Sequence, residues 1–168
     1  MLIVQKFGGS SVANAEKIRR VAGIIADTYC DNNDVVVILS AQGDTTDELL
    51  EKAAEINPNP SKRELDVLLS TGEQVSVALM SMALEKMGLP VVSLTGWQVQ
   101  LSTNFEYGNA RIRSVSTERI RQELDKRRIV IFTGFQGVTG TGDITTLGRG
   151  GSDTSAVAVA AALHADKC

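Results

Sequence analysis

The run Gly148-Arg149-Gly150-Gly151-Ser152-Asp153-Thr154-Ser155-Ala156 gathers three glycines, a guanidinium, hydroxyls and a carboxylate. Glycine permits left-handed turns and lets an anion approach main-chain N–H groups, so Gly150 and Gly151 read as an anion loop. Arg149 adds a two-pronged donor for a carboxylate or phosphate. Ser152 or Asp153 is expected to cap the helix that continues through Ala156-Val157-Ala158-Val159-Ala160-Ala161-Ala162-Leu163. A helix start beside such a loop favours negative charge. A second glycine pair, Gly8-Gly9, follows Lys6-Phe7 near the other end, and Ser40-Ala41-Gln42-Gly43-Asp44-Thr45-Thr46-Asp47 forms a third polar turn. Lys6, the two glycine loops, Thr45 or Thr46, Arg149 and Asp153 are the parts phosphoryl transfer needs: cations and backbone donors for spreading phosphate charge. The chain has no G-x-x-x-x-G-K-[ST] loop, no protein-kinase motif set and no G-x-G-x-x-G spacing. The residues by themselves point to an anion-handling site, with phosphate the expected anion.

The elements that must position these groups alternate between strand and helix. Leu2–Phe7 reads as a buried strand running into Gly8-Gly9-Ser10-Ser11, and Asn14 as the cap of a helix reaching about Asp27. Val35–Leu39 has the continuous β-branched character of a central parallel strand. Asp47 or Thr46 starts a helix to about Ile56, and Asn57-Pro58-Asn59-Pro60 breaks it. Ser61 opens a helical region, with an interruption expected at Gly72 before a long apolar helix to about Met87. Pro90–Leu94 reads as a strand, Thr95 to Asn109 as a hairpin or flap, and Arg111–Val115 as a short strand. Thr117-Glu118 opens a helix to about Arg127, Ile129–Phe132 is another buried strand, and Gly140–Gly142 is the turn of a small hairpin. This alternation predicts one three-layer α/β/α sandwich with a mainly parallel central sheet, its loops gathered at the carboxyl ends of the strands.

Composition narrows the class. A chain of 168 residues with 43% apolar and 22% charged residues is that of an ordinary globular domain. A net charge of −3 and the lack of a basic run argue against nucleic acid as a partner. The first residues lack a signal-peptide pattern, and no apolar stretch is expected to reach a membrane span. Cys30 and Cys168 have no metal-ligand spacing, which predicts a reduced, cytoplasmic setting and no dedicated metal site. The single histidine, His164, reads as structural, which disfavours a Ser-His-Asp hydrolase.

Lys6-Phe7-Gly8-Gly9-Ser10-Ser11, Ser40 to Asp47, Gly72-Glu73, Gly134-Phe135-Gln136-Gly137 and Thr146-Leu147-Gly148-Arg149-Gly150-Gly151-Ser152-Asp153-Thr154 resemble, in this order, the aspartate kinases of the amino-acid kinase superfamily. The resemblance covers essentially the whole chain. It implies ATP-dependent phosphorylation of the β-carboxylate of L-aspartate to 4-phospho-L-aspartate, the first step toward lysine, threonine and methionine and, in bacteria, diaminopimelate. Lys6 resembles the lysine that stabilises the transferring phosphoryl group; Gly8, Gly9 and Ser10 resemble the loop holding ATP phosphates, with Ser40 on the neighbouring turn. Thr46, Glu73, Phe135, Arg149 and Ser152 resemble the aspartate-binding set, and Asp153 resembles the carboxylate that organises Lys6, water or Mg²⁺. Mg²⁺ would be bound mainly through ATP oxygens. Residues 1–168 then correspond to the N-terminal part of the kinase domain, without much of the adenine pocket and without the regulatory ACT domains. The intact enzyme would be a homo-oligomer or would pair with an ACT-containing subunit.

Each residue also has a plainer reading. Lys6 could be solvated, Glu73 could serve a helix dipole, Asp153 could only cap a helix, and Arg119 to Arg128 could be a solvated face. For the whole chain, two other readings stand beside aspartate kinase. One is a different amino-acid kinase, such as one acting on acetylglutamate; the other is a non-catalytic aspartate-binding or subunit-interaction module.

Overall fold

The computed structural model describes residues 1–168. In chain order the elements are β1 (Leu2–Phe7), α1 (Ala15–Cys30), β2 (Asp34–Leu39), α2 (Thr45–Ile56), α3 (Lys62–Lys86), β3 (Val91–Leu94), β4 (Leu101–Thr103), β5 (Ile112–Val115), α4 (Glu118–Asp125), β6 (Ile129–Thr133), β7 (Gln136–Val138), β8 (Ile144–Thr146) and α5 (Gly151–Leu163). Strands β1-β2-β6-β3 form an entirely parallel sheet. Alternation along β2 shows why its run is unbroken by polar residues. Val35, Val37 and Leu39 pack with α1 and α3, while Val36 and Ile38 pack with α4 and α5. Both faces are covered, giving the expected α/β/α sandwich.

Part of Thr95 to Asn109, the strand expected at Arg111–Val115 and the hairpin around Gly140 join into a second, mixed sheet, β5-β4-β7-β8. Its short strands carry too little periodicity to announce that they pair across the chain. Asn14 caps α1 as expected, accepting from the Lys17 N–H. At the far end, Lys167 makes a parallel bridge to Ile3 on the outer edge of β1.

Three expectations are corrected. Helix α3 runs without a break through Gly72. Glycine is there for space: a Cβ would lie 2.9 Å from the Ala41 methyl, so the glycine lets the helix press against the turn after β2. The same helix is long and apolar enough, by length and composition, to cross a membrane, although no such stretch was expected. Half of that window is buried, with Leu69, Val77, Met80 and Leu84 inside the fold; it is the core helix of the sandwich. Neither Ser152 nor Asp153 caps α5; Gly150 does, with φ +71 and no side-chain bond, so both residues stand inside the first turn.

Arg119, Lys126 and Arg128 do not simply face solvent but converge on Glu123, whose carboxylate is buried. Arg127 pairs with Asp34 and stacks over Tyr29. His164 ends α5 in a left-handed conformation.

Candidate active site

β1, β2 and β6 end side by side, and the chain leaves each through a small-residue turn: Gly8-Gly9, Ser40-Ala41 and Gly134-Phe135. These turns interlock closely. Gly43 donates to the Gly9 carbonyl at 2.9 Å, and a Cβ on Gly9 would lie 2.4 Å from the Ala41 carbonyl oxygen. A Cβ on Gly134 would meet Ser152 Oγ at 2.8 Å. Above the strand ends lies an open cleft of about 540 Å³. It is lined by Lys6, Gly8, Gly9, Ser40, Thr46, Glu73, Phe135, Arg149, Gly150, Gly151, Ser152 and Asp153, so residues up to 147 positions apart reach one cavity.

Lys6 Nζ lies 2.8 Å from Asp153 Oδ1, which joins the end of β1 to the first turn of α5. Asp153 is 70% exposed, so water weakens the pair and either partner remains available to a ligand. Ser40 donates to Ser152 Oγ at 2.9 Å, fixing the turn after β2 against the same helix start. Arg149 is exposed at the rim, and none of the chain's ion pairs involves it.

Glu73 comes from the middle of α3 and is only 3% exposed. One oxygen accepts from the Ala41 N–H at 3.2 Å, and the other has no partner. Burial pushes its carboxyl up to about 7 against the opposing pull of the backbone N–H groups. A half-bonded, desolvated carboxylate in a cleft wall is a receptor for a cation or a proton donor.

Phe135 closes one side in a left-handed conformation, φ +72, rare for a bulky residue. Its N–H donates to Ser155 Oγ at 3.0 Å and its carbonyl accepts from Leu147, which hold it there. The ring lies against Gly151, where a Cβ would come within 2.8 Å of Cδ2.

Ser10 is the exception among the expected residues. It sits in a short 3-10 turn, Gly9–Val12, outside the cleft, where its carbonyl accepts from Lys17 Nζ. Between Thr45 and Thr46, the structure brings only Thr46 to the cleft; the Thr45 methyl faces Gly72. Asp47, Leu50 and Leu69 also line the cleft but were not singled out. Leu50 follows Thr46 by four residues and Asp47 by three, the spacing of one helix face, a signal the sequence did carry.

Residues 1–168 match the amino acid kinase family. The chain belongs to that family. It is 59% identical over 99% of its length to the aspartokinase of Geobacillus stearothermophilus and spans 41% of that relative. The crystal structure of aspartate kinase from Synechocystis superposes with a TM-score of 0.83 at 50% identity, over 99% of this chain and 27% of that one. E. coli aspartokinase III in complex with aspartate and ADP superposes at 0.84 with 26% identity, over 98% of this chain and 47% of that one. The parallel sheet and its helical layers are therefore those of the amino-acid kinase fold.

Proposed function

We propose that this chain forms the phosphate- and aspartate-binding part of an aspartate kinase, one that phosphorylates the β-carboxylate of L-aspartate with ATP. The observation that carries the reading is the meeting of Lys6 and Asp153, 2.8 Å apart, in one cleft with unpaired Arg149 and half-bonded Glu73. Arg149 suits a substrate carboxylate and Glu73 suits its ammonium group, with Thr46, Ser152 and the Phe135 ring completing the acceptor's walls. Lys6, the Gly8-Gly9 and Gly150-Gly151 backbones and Ser40 suit the phosphates of ATP. The similarity to an aspartokinase solved with aspartate and ADP supports this division of the cleft.

In this reading a β-carboxylate oxygen bonds to the γ-phosphorus as the bond from that phosphorus to the bridging oxygen breaks. ADP leaves with the electron pair, and Lys6 offsets the charge that spreads over the phosphoryl oxygens. Mg²⁺, bound mainly through the nucleotide's own oxygens, would supply neutralisation of phosphate charge beside Lys6 and Asp153. The adenine end of the site, ACT-based regulation, oligomerisation and the cytoplasmic place in lysine, threonine, methionine and diaminopimelate synthesis belong to the same proposal.

The test is ATP turnover with L-aspartate and Mg²⁺, trapping the acyl phosphate, in the full-length protein carrying this chain. Lys6→Ala should lower kcat by about 10²–10³. Aspartate binding without turnover would make it a binding module, and turnover only with acetylglutamate would place it elsewhere in the family.

A further inference from the structure

Asp66 lies in the second turn of α3 and is 1% exposed. No cation pairs with it. Three neutral donors reach it instead: Thr146 N–H to Oδ2 at 3.0 Å, Thr146 Oγ1 to Oδ1 at 2.7 Å, and Gly108 N–H to Oδ2 at 2.9 Å. Both carboxylate oxygens accept, Oδ2 from the two N–H groups and Oδ1 from the hydroxyl; an amide would turn an N–H toward Thr146 Oγ1 in place of one acceptor. A buried charge held this way is expensive, so a role beyond stability is worth seeking.

The donors show what that role is. Thr146 is the last residue of β8 and stands three positions before Arg149. Its carbonyl accepts from Ala110 at 2.9 Å, so the segment around Gly108 is bound to the same strand end. That segment lies close against the loop: a Cβ on Gly148 would lie 3.0 Å from Asn109 Oδ1. Beyond it, Gly151 donates to the Gly148 carbonyl, and Leu147 donates to Phe135. The loop carrying Arg149 thus hangs from Asp66 at its start. Asp66 shares its helix with Glu73, seven residues on, or about 10 Å along the axis at 1.5 Å per residue.

We propose that Asp66 is a positioning residue that sets where Arg149 stands relative to Glu73. The proposal rests on the aspartate-kinase reading for its substrate: a small amino acid must meet a cation-seeking and an anion-seeking group at once. Tying both to one rigid helix holds their spacing, and misplacement by about 1 Å is costly in such a site.

The test uses the full-length protein, with separate KM values for L-aspartate and ATP, melting temperature, and amide hydrogen exchange of residues 147–151. Asp66→Asn should raise the aspartate KM about tenfold, leave the ATP KM within about twofold, and speed exchange in that loop selectively. Thr146→Val, which removes one of the three bonds, should act in the same direction by about threefold, with a double variant that is not additive. Glu123→Gln, an equally buried carboxylate away from the cleft, should lower the melting temperature without moving either KM.

Lower melting temperatures with an unchanged aspartate KM would overturn the proposal, as would equal rises in both KM values. If Asp66→Asn does not fold, Thr146→Val decides on the same criteria. Should the unsubstituted protein show no aspartate-dependent turnover, the functional reading alone fails. The exchange measurement then decides the positioning: selective loosening of residues 147–151 supports it, and unchanged exchange overturns it.

Discussion

Two stretches of α3, two turns apart, each bury a carboxylate and use it in opposite ways. Asp66 faces β8 and the loop at Gly108, and three donors reach it. Glu73 faces the cleft with one backbone donor and a bare oxygen. Burial costs both groups their hydration, and the difference lies in what replaces it. The first carboxylate is consumed in holding chain segments together. The second keeps unspent capacity to bind, which explains why its carboxyl rises to about 7. A third buried carboxylate, Glu123, completes the series. Burial pushes it up, but hydrogen bonds from Arg119 and Arg128, aided by Lys126, outweigh that and leave its carboxyl below the usual range.

The largest expected effect attacks Glu73. Its folded-state value lies above the ordinary carboxylate value of 4.5, so between about pH 4.5 and 7 the folded protein holds a proton the unfolded chain has released. Stability should therefore fall as pH rises through that window, by at most about 3 kcal/mol. Denaturant titrations of Glu73→Gln across the same window should be flatter; an unchanged slope would mean the carboxyl is not desolvated.

Next in size, Asp66→Ala strands two backbone N–H groups and a hydroxyl, and should cost about 2–3 kcal/mol by chemical denaturation. A cost near zero would erase the distinction between the two ends of the helix. Gly134→Ala should cost about 2 kcal/mol, because the new methyl would meet Ser152 Oγ and Ile38 Cγ2 below 3.0 Å. The smallest effect belongs to Glu123→Gln, which should remove a stabilisation present above the ordinary carboxylate range and lost as pH falls. Acid titrations of the two proteins should converge at low pH.

Much of the fold was legible because local chemistry and global position agree. The run Val35–Leu39 is apolar throughout since both faces of β2 are covered, and Asn14 caps a helix by a bond spanning three residues. Gly72 misled because a glycine inside a helical pattern reads as a break, whereas here the missing Cβ serves contact with Ala41. Ser10, expected at the phosphate loop, lies in the short turn Gly9–Val12 and does not line the cleft. The second sheet stayed hidden because strands of three or four residues, paired across long separations, leave almost no periodic trace.

What the sequence determined by itself was the alternation of elements, the layered class and the set of groups able to handle phosphate and carboxylate. Those depend on residue type and short spacing, which the chain carries locally. Resemblance had already paired Lys6 with Asp153 and named Thr46; tertiary structure alone decided the 2.8 Å contact between the first two, the place of Thr46 in the cavity wall, and that Glu73 is under-bonded while Asp66 is fully bonded. Burial and hydrogen-bond partnership are properties of packing between distant segments. No window along the chain contains both members of those contacts.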